Sequence, residues 1–428
     1  MLGRDTNILP NHSLPLPNRV LKGGSGGTSG IGSAIALIGA AGVWTLIERA
    51  SKSHDTWERL KPWFGAPHWP MFMDLQAIWT ACDAWSRGID PLADPTFAFN
   101  YPRIWLALSK VGLQDLPLAP SALFLDAALL LCVLVLLRPR NWWLGLLVAG
   151  IVWSPPMRLI LERVNIDLLV FLIVAAGAAF AARFSERISL AWIAPAIILF
   201  AALLKLYPLV ILFAGFLFEN GDKRVRRWWL WAALIGVLVM SLNAREIIEI
   251  GEKTLQSDAG SFGVTVLGTR TFNHFIGHGQ SEPRKVAVAI RVASTVIFAI
   301  FGFFAIRMGM RQRAAFSSAS ESPSWSGFWV AAAVYVGTFT LGANFSYRLV
   351  FILLGIPFLL GLAREPAGSA AIWSRATLAI ILIVMFSPFG TKGVPYTLIQ
   401  FSQWLLALLL VAGVAAASPR DLGIPREL

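Results

Sequence analysis

Apolar residues run in blocks along most of this chain, and short polar clusters separate the blocks. A helical block of roughly 15–20 residues, rising about 1.5 Å per residue, covers the roughly 30 Å of hydrocarbon in a bilayer. Twelve such blocks can be read, at 31–48, 121–137, 142–156, 165–182, 189–204, 207–218, 228–242, 286–305, 327–342, 347–362, 372–388 and 398–416. The pair 189–204 and 207–218 is short, and Lys205-Leu206-Tyr207-Pro208 between them reads as a break or as a kink in one helix. The pattern predicts an all-α polytopic membrane protein of about 12 (11–13) transmembrane helices.

A different period runs through the long polar stretch 50–120. Met71, Leu75, Ile78, Trp79, Cys82 and Trp85 recur at steps of three and four, which predicts a helix over Pro70 to Trp85 lying in the membrane interface. Gly88 to Pro91 ends it, and Tyr101 to Val111 reads as a second short interfacial helix.

Composition agrees with the pattern: 56% apolar residues, 14% charged residues and a mean hydropathy of +0.65 exclude an ordinary soluble globule. The net charge of +12 would suit nucleic acid, but its distribution does not. Arg138 and Arg140, Arg183 and Arg187, Lys223 to Arg227, Arg307 to Arg313, Arg364 with Arg375, and Arg420 with Arg426 alternate with the spans, as cytoplasmic loops do. The partner is therefore a lipid bilayer, the plasma (inner) membrane, with both termini cytoplasmic and no nucleic acid expected.

Residues 1–30, rich in Gly, Ser, Pro and Asn, read as a disordered cytoplasmic tail. Residues 31–417 form the transmembrane domain, and 418–428 are a second cytoplasmic tail. The first apolar run lacks a small-residue cleavage pattern and reads as a retained signal anchor. Cys82 and Cys132 form neither a disulfide framework nor a metal-ligand spacing.

With this orientation the unusual polar residues gather on the outer side. Arg158, Arg163, Lys205 and Arg348 stand at span ends against the positive-inside trend, with Glu162 and Asp167 beside the first two. Any one arginine can simply snorkel to a lipid phosphate; four together point to an outward cavity holding an anion. Asp74 sits at the start of the first interfacial helix, either as an N-cap or as a functional acid. Asp83, Asp90 and Asp94 read as solvated or turn-forming. The outer loop 243–285 carries "SFGVTVLGTRTFNHFIGHG" and reads as a lid, with Asn273 and His274 as sugar or acceptor contacts. His274 and His278 lack a third ligand for zinc, and no metal or other cofactor is expected.

The order Asp74, "RGIDPL", Tyr101-Pro102, "RVNIDLL", "LLKLYPLV", "RRWW" and "SYRLVFILLGIP" resembles glycosyltransferase family 87, the polyprenyl-phosphate-mannose-dependent mannosyltransferases. The resemblance covers most of 31–365 in short, degenerate pieces. It implies a C-type glycosyltransferase bundle whose first outer loop carries the catalytic acid, which maps to Asp74. It assigns donor-phosphate binding to Lys205, and it matches Asn165, Tyr347 and Arg348 to family positions. Tyr101-Pro102-Arg103 stands where members often have Tyr-Pro-Pro, and Arg163-Val164 where they have Gly-Gln before the asparagine.

The expected activity is transfer of a hexosyl, by resemblance mannosyl, group from a polyprenyl-phosphate sugar to a glycolipid or glycan acceptor at the outer face. Asp74 is the base of an inverting displacement, Lys205, Arg348, Arg158 and Arg163 hold the departing phosphate, and Asn165, Glu162, Tyr101, Tyr347, Asn273 and His274 contact sugar or acceptor. Three competing readings remain open: a transporter or lipid flippase, a transferase using another prenyl-phosphate sugar, and a non-catalytic scaffold.

Overall fold

A computed structural model describes residues 29–63, 69–184, 187–219, 223–254, 261–275, 284–316, 319–341, 344–366, 368–387 and 394–418. The greater part of both expected tails, and His278, lie outside the described residues. The fold is almost wholly helical. Helix α1 (Ser29–Ala50) leads into α2 (His54–Leu60), α3 (Met73–Ser86) and a 3₁₀ helix at Arg103–Val111. Then follow α4 (Leu118–Leu137), α5 (Trp142–Trp153), α6 (Pro155–Arg163), α7 (Ile166–Phe184), α8 (Ile193–Leu204), α9 (Leu209–Phe218) and α10 (Lys223–Leu242). Helix α11 (Ala244–Lys253), strand β1 (Ser261–Phe262) and α12 (Val264–Phe275) precede α13 (Arg284–Arg311) and α14 (Trp325–Thr340). Strand β2 (Asn344–Phe345), a 3₁₀ helix at Ser346–Gly355, α15 (Ile356–Ala363), α16 (Ser369–Met385) and α17 (Val394–Ala417) complete the order.

All twelve apolar runs contain a helix, but their lengths are unequal. Among the described residues seven helices are long and apolar enough to cross a membrane, or eight if the bent pair α5–α6 is one span. The remaining runs, α8, α9, α14 and α16, are shorter, so length alone does not give the expected twelve. The architecture is that of a multi-pass, all-α membrane protein.

The breaks have local causes. Pro155 and Pro156 open α6 without an N–H to continue the α5 ladder, and the two helices meet at 51°. Lys205 is extended (φ −158°, ψ 131°) and Pro208 cannot donate, so α8 stops and α9 starts afresh. The two then fold back as a hairpin. A Cβ added at Gly236 of α10 would meet Leu209 at 2.6 Å and Leu199 at 3.3 Å, so both arms lie at one level. Ala194 and Glu219 line one small cavity with Phe180 and Phe184, which puts both free ends beside the end of α7. At about 1.5 Å per residue α8 and α9 span roughly 18 and 15 Å against roughly 28 Å for α7. The Lys205 tip therefore sits in a recess beside the start of α7.

The core is built on α14 and the 346–363 segment, where Val330, Val334, Phe351 and Leu353 are fully buried. Lipid-facing surface shows as exposed Phe301, Phe303 and Phe304 on α13. Strands β1 and β2 pair antiparallel, Ser261 with Phe345 and Phe262 with Asn344.

In the first polar loop α3 starts at Met73, three residues after the expected Pro70. Phe72 holds the N-cap position in the left-handed region (φ 62°) with no side-chain cap, so Asp74 is not an N-cap. The second expected helix forms as a 3₁₀ helix entered from Pro102.

Candidate functional site

Asp74 lies in the first turn of α3, and the Phe72 N–H donates to the Glu162 carbonyl at 2.8 Å, tying that turn to the end of α6. Val164, left-handed at φ 45°, bends the chain between α6 and α7. Arg163 and Asn165, on either side of that bend, both reach Asp74. Arg163 donates from Nε to Oδ2 at 2.8 Å and from Nη2 to Oδ1 at 2.6 Å; Asn165 Nδ2 donates to Oδ2 at 2.6 Å.

Asn165 carries the network onward. Its Oδ1 accepts from the Asp167 N–H at 2.9 Å and from Lys205 Nζ at 3.3 Å. A carboxylate on one side and an ammonium on the other fix which end of the amide faces which. Asp167, fully buried, then receives Lys205 at 2.7 Å, the Tyr207 hydroxyl at 3.0 Å and Arg348 Nε at 3.1 Å. Arg348 also donates to Asn344 Oδ1, next to the β1–β2 pairing.

Aromatic rings enclose the cations. Lys205 Nζ lies 5.3 Å from the Tyr101 ring and 6.0 Å from that of Tyr347, and the Arg348 guanidinium lies 5.0 Å from the Tyr207 ring. Burial, and next the Asp74 carboxylate, pushes the Tyr101 phenol well above its usual range, so it stays a neutral donor.

Two consequences follow for chemistry. Three cations, Arg163, Lys205 and Arg348, face two carboxylates, Asp74 and Asp167, leaving one positive charge in excess. Asp167 has no exposed side-chain surface whereas Lys205 and Arg348 keep 15% and 18%, so an incoming anion meets the cations first. Asp74 Oδ2 accepts two bonds but Oδ1 only one, and a carboxylate oxygen has room for about two. Oδ1 can therefore accept a proton-bearing hydroxyl.

Of the residues read from sequence, Asp74, Arg163, Asn165, Lys205, Arg348, Tyr101 and Tyr347 come together. Arg158 does not join them: its Nη1 donates to the Trp63 carbonyl. Glu162 is buried, and its carbonyl accepts the Phe72 N–H beside the cluster. Asn273 and His274 fall in the last turn of α12, and their side chains lie outside the described residues. Among the described residues no three His, Cys, Asp or Glu side chains gather as metal ligands.

Sequence reading passed over Asp167 as a site residue, although an acid opening an apolar span opposite Lys205 and Arg348 was the available signal. It also missed a clamp beside the site. The Arg103 N–H donates to Glu246 at 2.7 Å, and its guanidinium reaches Asp90 at 2.7 Å and Glu249 at 3.1 Å. Lys253 Nζ donates to the Pro91 and Asp94 carbonyls at 3.0 and 2.6 Å. Helix α11 of the expected lid is thus fastened to the stretch that ends in Tyr101. Burial alone would raise Asp90, but the Arg103 hydrogen bond and the Leu92 N–H outweigh it and hold the carboxyl below its usual value. Asp94 closes its own turn through the Thr96 N–H at 2.8 Å, and Asp83 pairs on the surface with Arg87, as turn and solvated acids do.

No family model, curated protein or solved structure matches the chain.

Proposed function

We propose that this is a membrane glycosyltransferase of the C-type kind, moving a hexosyl, by resemblance mannosyl, group from a polyprenyl-phosphate sugar to a glycolipid or glycan acceptor on the outer face of the plasma membrane. The observation that supports the reading most is the single network running from Asp74 through Asn165 to Lys205, Asp167 and Arg348. It sets an acid with an available oxygen beside a cationic recess. Direct inverting displacement needs that pairing, with a base at the attacking hydroxyl and cations at the leaving phosphate. In this mechanism the acceptor hydroxyl passes its proton to Asp74 Oδ1 as its oxygen bonds the anomeric carbon. The bond from that carbon to the phosphate oxygen breaks, and the electron pair leaves on the phosphate, held by Lys205 and Arg348. Arg163 holds Asp74 oriented until the proton arrives.

The rival with a specific observation behind it is a carrier of lipid-linked anions, because discontinuous backbone at Ser154 and Lys205 is also a transporter device. Purified protein in liposomes, given radiolabelled polyprenyl-phosphate mannose and membrane glycolipid, separates the two. Label transferred by wild type but not by Asp74→Asn supports the transferase. Label moved across the bilayer without transfer, by both proteins, overturns it in favour of the carrier.

A further inference from the structure

A second built site lies at the opposite end of the bundle. Trp79 Nε1 donates to the Leu116 carbonyl at 3.1 Å, so α4 starts beside α3 and the Asp74 network. Its 20 residues then carry the chain about 30 Å away, to Arg138. There a cavity of about 470 Å³ opens, lined by Gly30, Ser33, Leu134, Arg138, Pro139 and Arg140.

The walls are fixed by close backbone contact. A Cβ on Gly32 would stand 2.2 Å from the Asn141 carbonyl oxygen, and one on Gly145 would stand 2.5 Å from the Gly32 oxygen, so only glycine allows α1 and α5 to meet here. Ser33 Oγ donates to the Pro139 carbonyl at 3.3 Å, and Asn141 Oδ1 caps α5 by accepting the Leu144 N–H at 2.9 Å.

The cations in this cavity differ from the arginines that the fold itself holds. Arg103, Arg163 and Arg348 bind acids, and Arg313 and Arg375 bind backbone carbonyls. The guanidinium groups of Arg138 and Arg140 have no hydrogen-bond or ion-pair partner among the described residues, and none of the described residues that line the cavity is an acid. Arg138 is also held at φ 40°, a left-handed backbone that a side chain disfavours and glycine would accept readily. An arginine kept there, with no partner among the described residues, is positioned for an anion from outside.

The surroundings say which anion. Trp142 and Trp143 stack at 3.9 Å beside the cavity and are 45% and 65% exposed, as aromatic residues at head-group depth are. Leu131 and Val135 of α4 are exposed on the membrane-spanning side, a path for acyl chains leading from the arginines. A volume worth about fifteen waters exceeds one phosphate and admits a glycerol-linked head group. We infer that this cavity binds the head group of an anionic phospholipid, with Arg138 and Arg140 on its phosphate.

The full-length protein in a neutral detergent, titrated with short-chain phosphatidylglycerol and followed by its thermal midpoint, tests this. Wild type should show a saturable rise that phosphatidylcholine does not give. Arg138→Gly with Arg140→Gln should weaken the apparent affinity about tenfold or more, while the lipid-free midpoint holds or rises because glycine relaxes the backbone at 138. Arg140→Gln alone, at an exposed position, should give part of that loss. An unchanged affinity in the double variant overturns the inference. So does an equal loss in Arg307→Gln with Arg311→Gln, a basic pair at the end of α13, which would mean general attraction. A rise reproduced by inorganic phosphate also overturns it, since the ligand would then be a free anion.

Discussion

Arg163 grips Asp74 through both carboxylate oxygens, Nε on Oδ2 and Nη2 on Oδ1. The pair makes the acid a shared element of structure and chemistry, and two substitutions separate the roles. Asp74→Asn keeps the shape and removes the proton acceptor, so transfer should fall by about 10²–10⁴ in kcat with a small change in thermal midpoint. Arg163→Lys keeps the charge and loses the fork, so it should retain more activity than Asp74→Asn. Steady-state kinetics beside thermal unfolding checks both, and equal turnover by Asp74→Asn and wild type would remove Asp74 from the mechanism.

Asn165→Asp should act through charge and through loss of the Nδ2 donation to Asp74. It adds a third carboxylate between Asp74 and Asp167 and cancels the excess positive charge of the cluster. The expected outcome is a KM for the lipid-phosphate donor raised about tenfold, consistent with loss of roughly 1–2 kcal/mol from a charge-assisted contact. A donor titration measures it.

Asp167 is the brace of the recess, and removing it strands two cations. Asp167→Leu should cost about 3–5 kcal/mol because Lys205 and Arg348 stay buried without their acid. Asp167→Leu combined with Lys205→Met should cost less than the single change, since the second substitution removes a stranded charge. Thermal unfolding of the three proteins decides, and strict additivity would deny that the residues act as a unit.

The clamp at Arg103 is about a third exposed, so its stability share is small while its positioning role is not. Arg103→Ala should cost about 1 kcal/mol of stability or less, yet increase amide exchange in both 90–97 and 244–253. Exchange confined to one of those segments would show that they are not fastened together.

Glu219, one residue past α9, has its carboxyl pushed up to about 8 by burial, from the ordinary 4.5. The folded protein therefore keeps a proton there that the unfolded chain releases. Stability should decline between about pH 4.5 and 8, at up to about 1.4 kcal/mol per pH unit, and level off above that range. Glu219→Gln should flatten this slope in thermal midpoints taken across pH.

Much of this was legible along the chain because membrane burial enforces long apolar runs, and each of the twelve runs became helical. The polar residues at span ends were legible for the same reason: a charge such as Lys205 or Arg348 is too costly there without partners. What the sequence hid was pairing across distance. Nothing local in "RVNIDLL" tells that Asp167, and not Glu162, faces Lys205, because that depends on the left-handed bend at Val164. Arg158 and Arg163 look alike in sequence, five residues apart, yet the turn at the end of α6 sends one to Trp63 and the other to Asp74. The Arg103 clamp joins residues 143 and 146 positions apart, beyond any periodicity.

The two-residue ladder between Ser261–Phe262 and Asn344–Phe345 is small, but its position gives it leverage. Asn344 belongs to that ladder and its Oδ1 also accepts from Arg348, so a single residue joins strand Ser261–Phe262 to the guanidinium facing the recess. If the proposed function holds, entry of a bulky lipid-borne substrate beside this strand and release of the phosphate it carries would share that one joint, and a change at Asn344 would register in both.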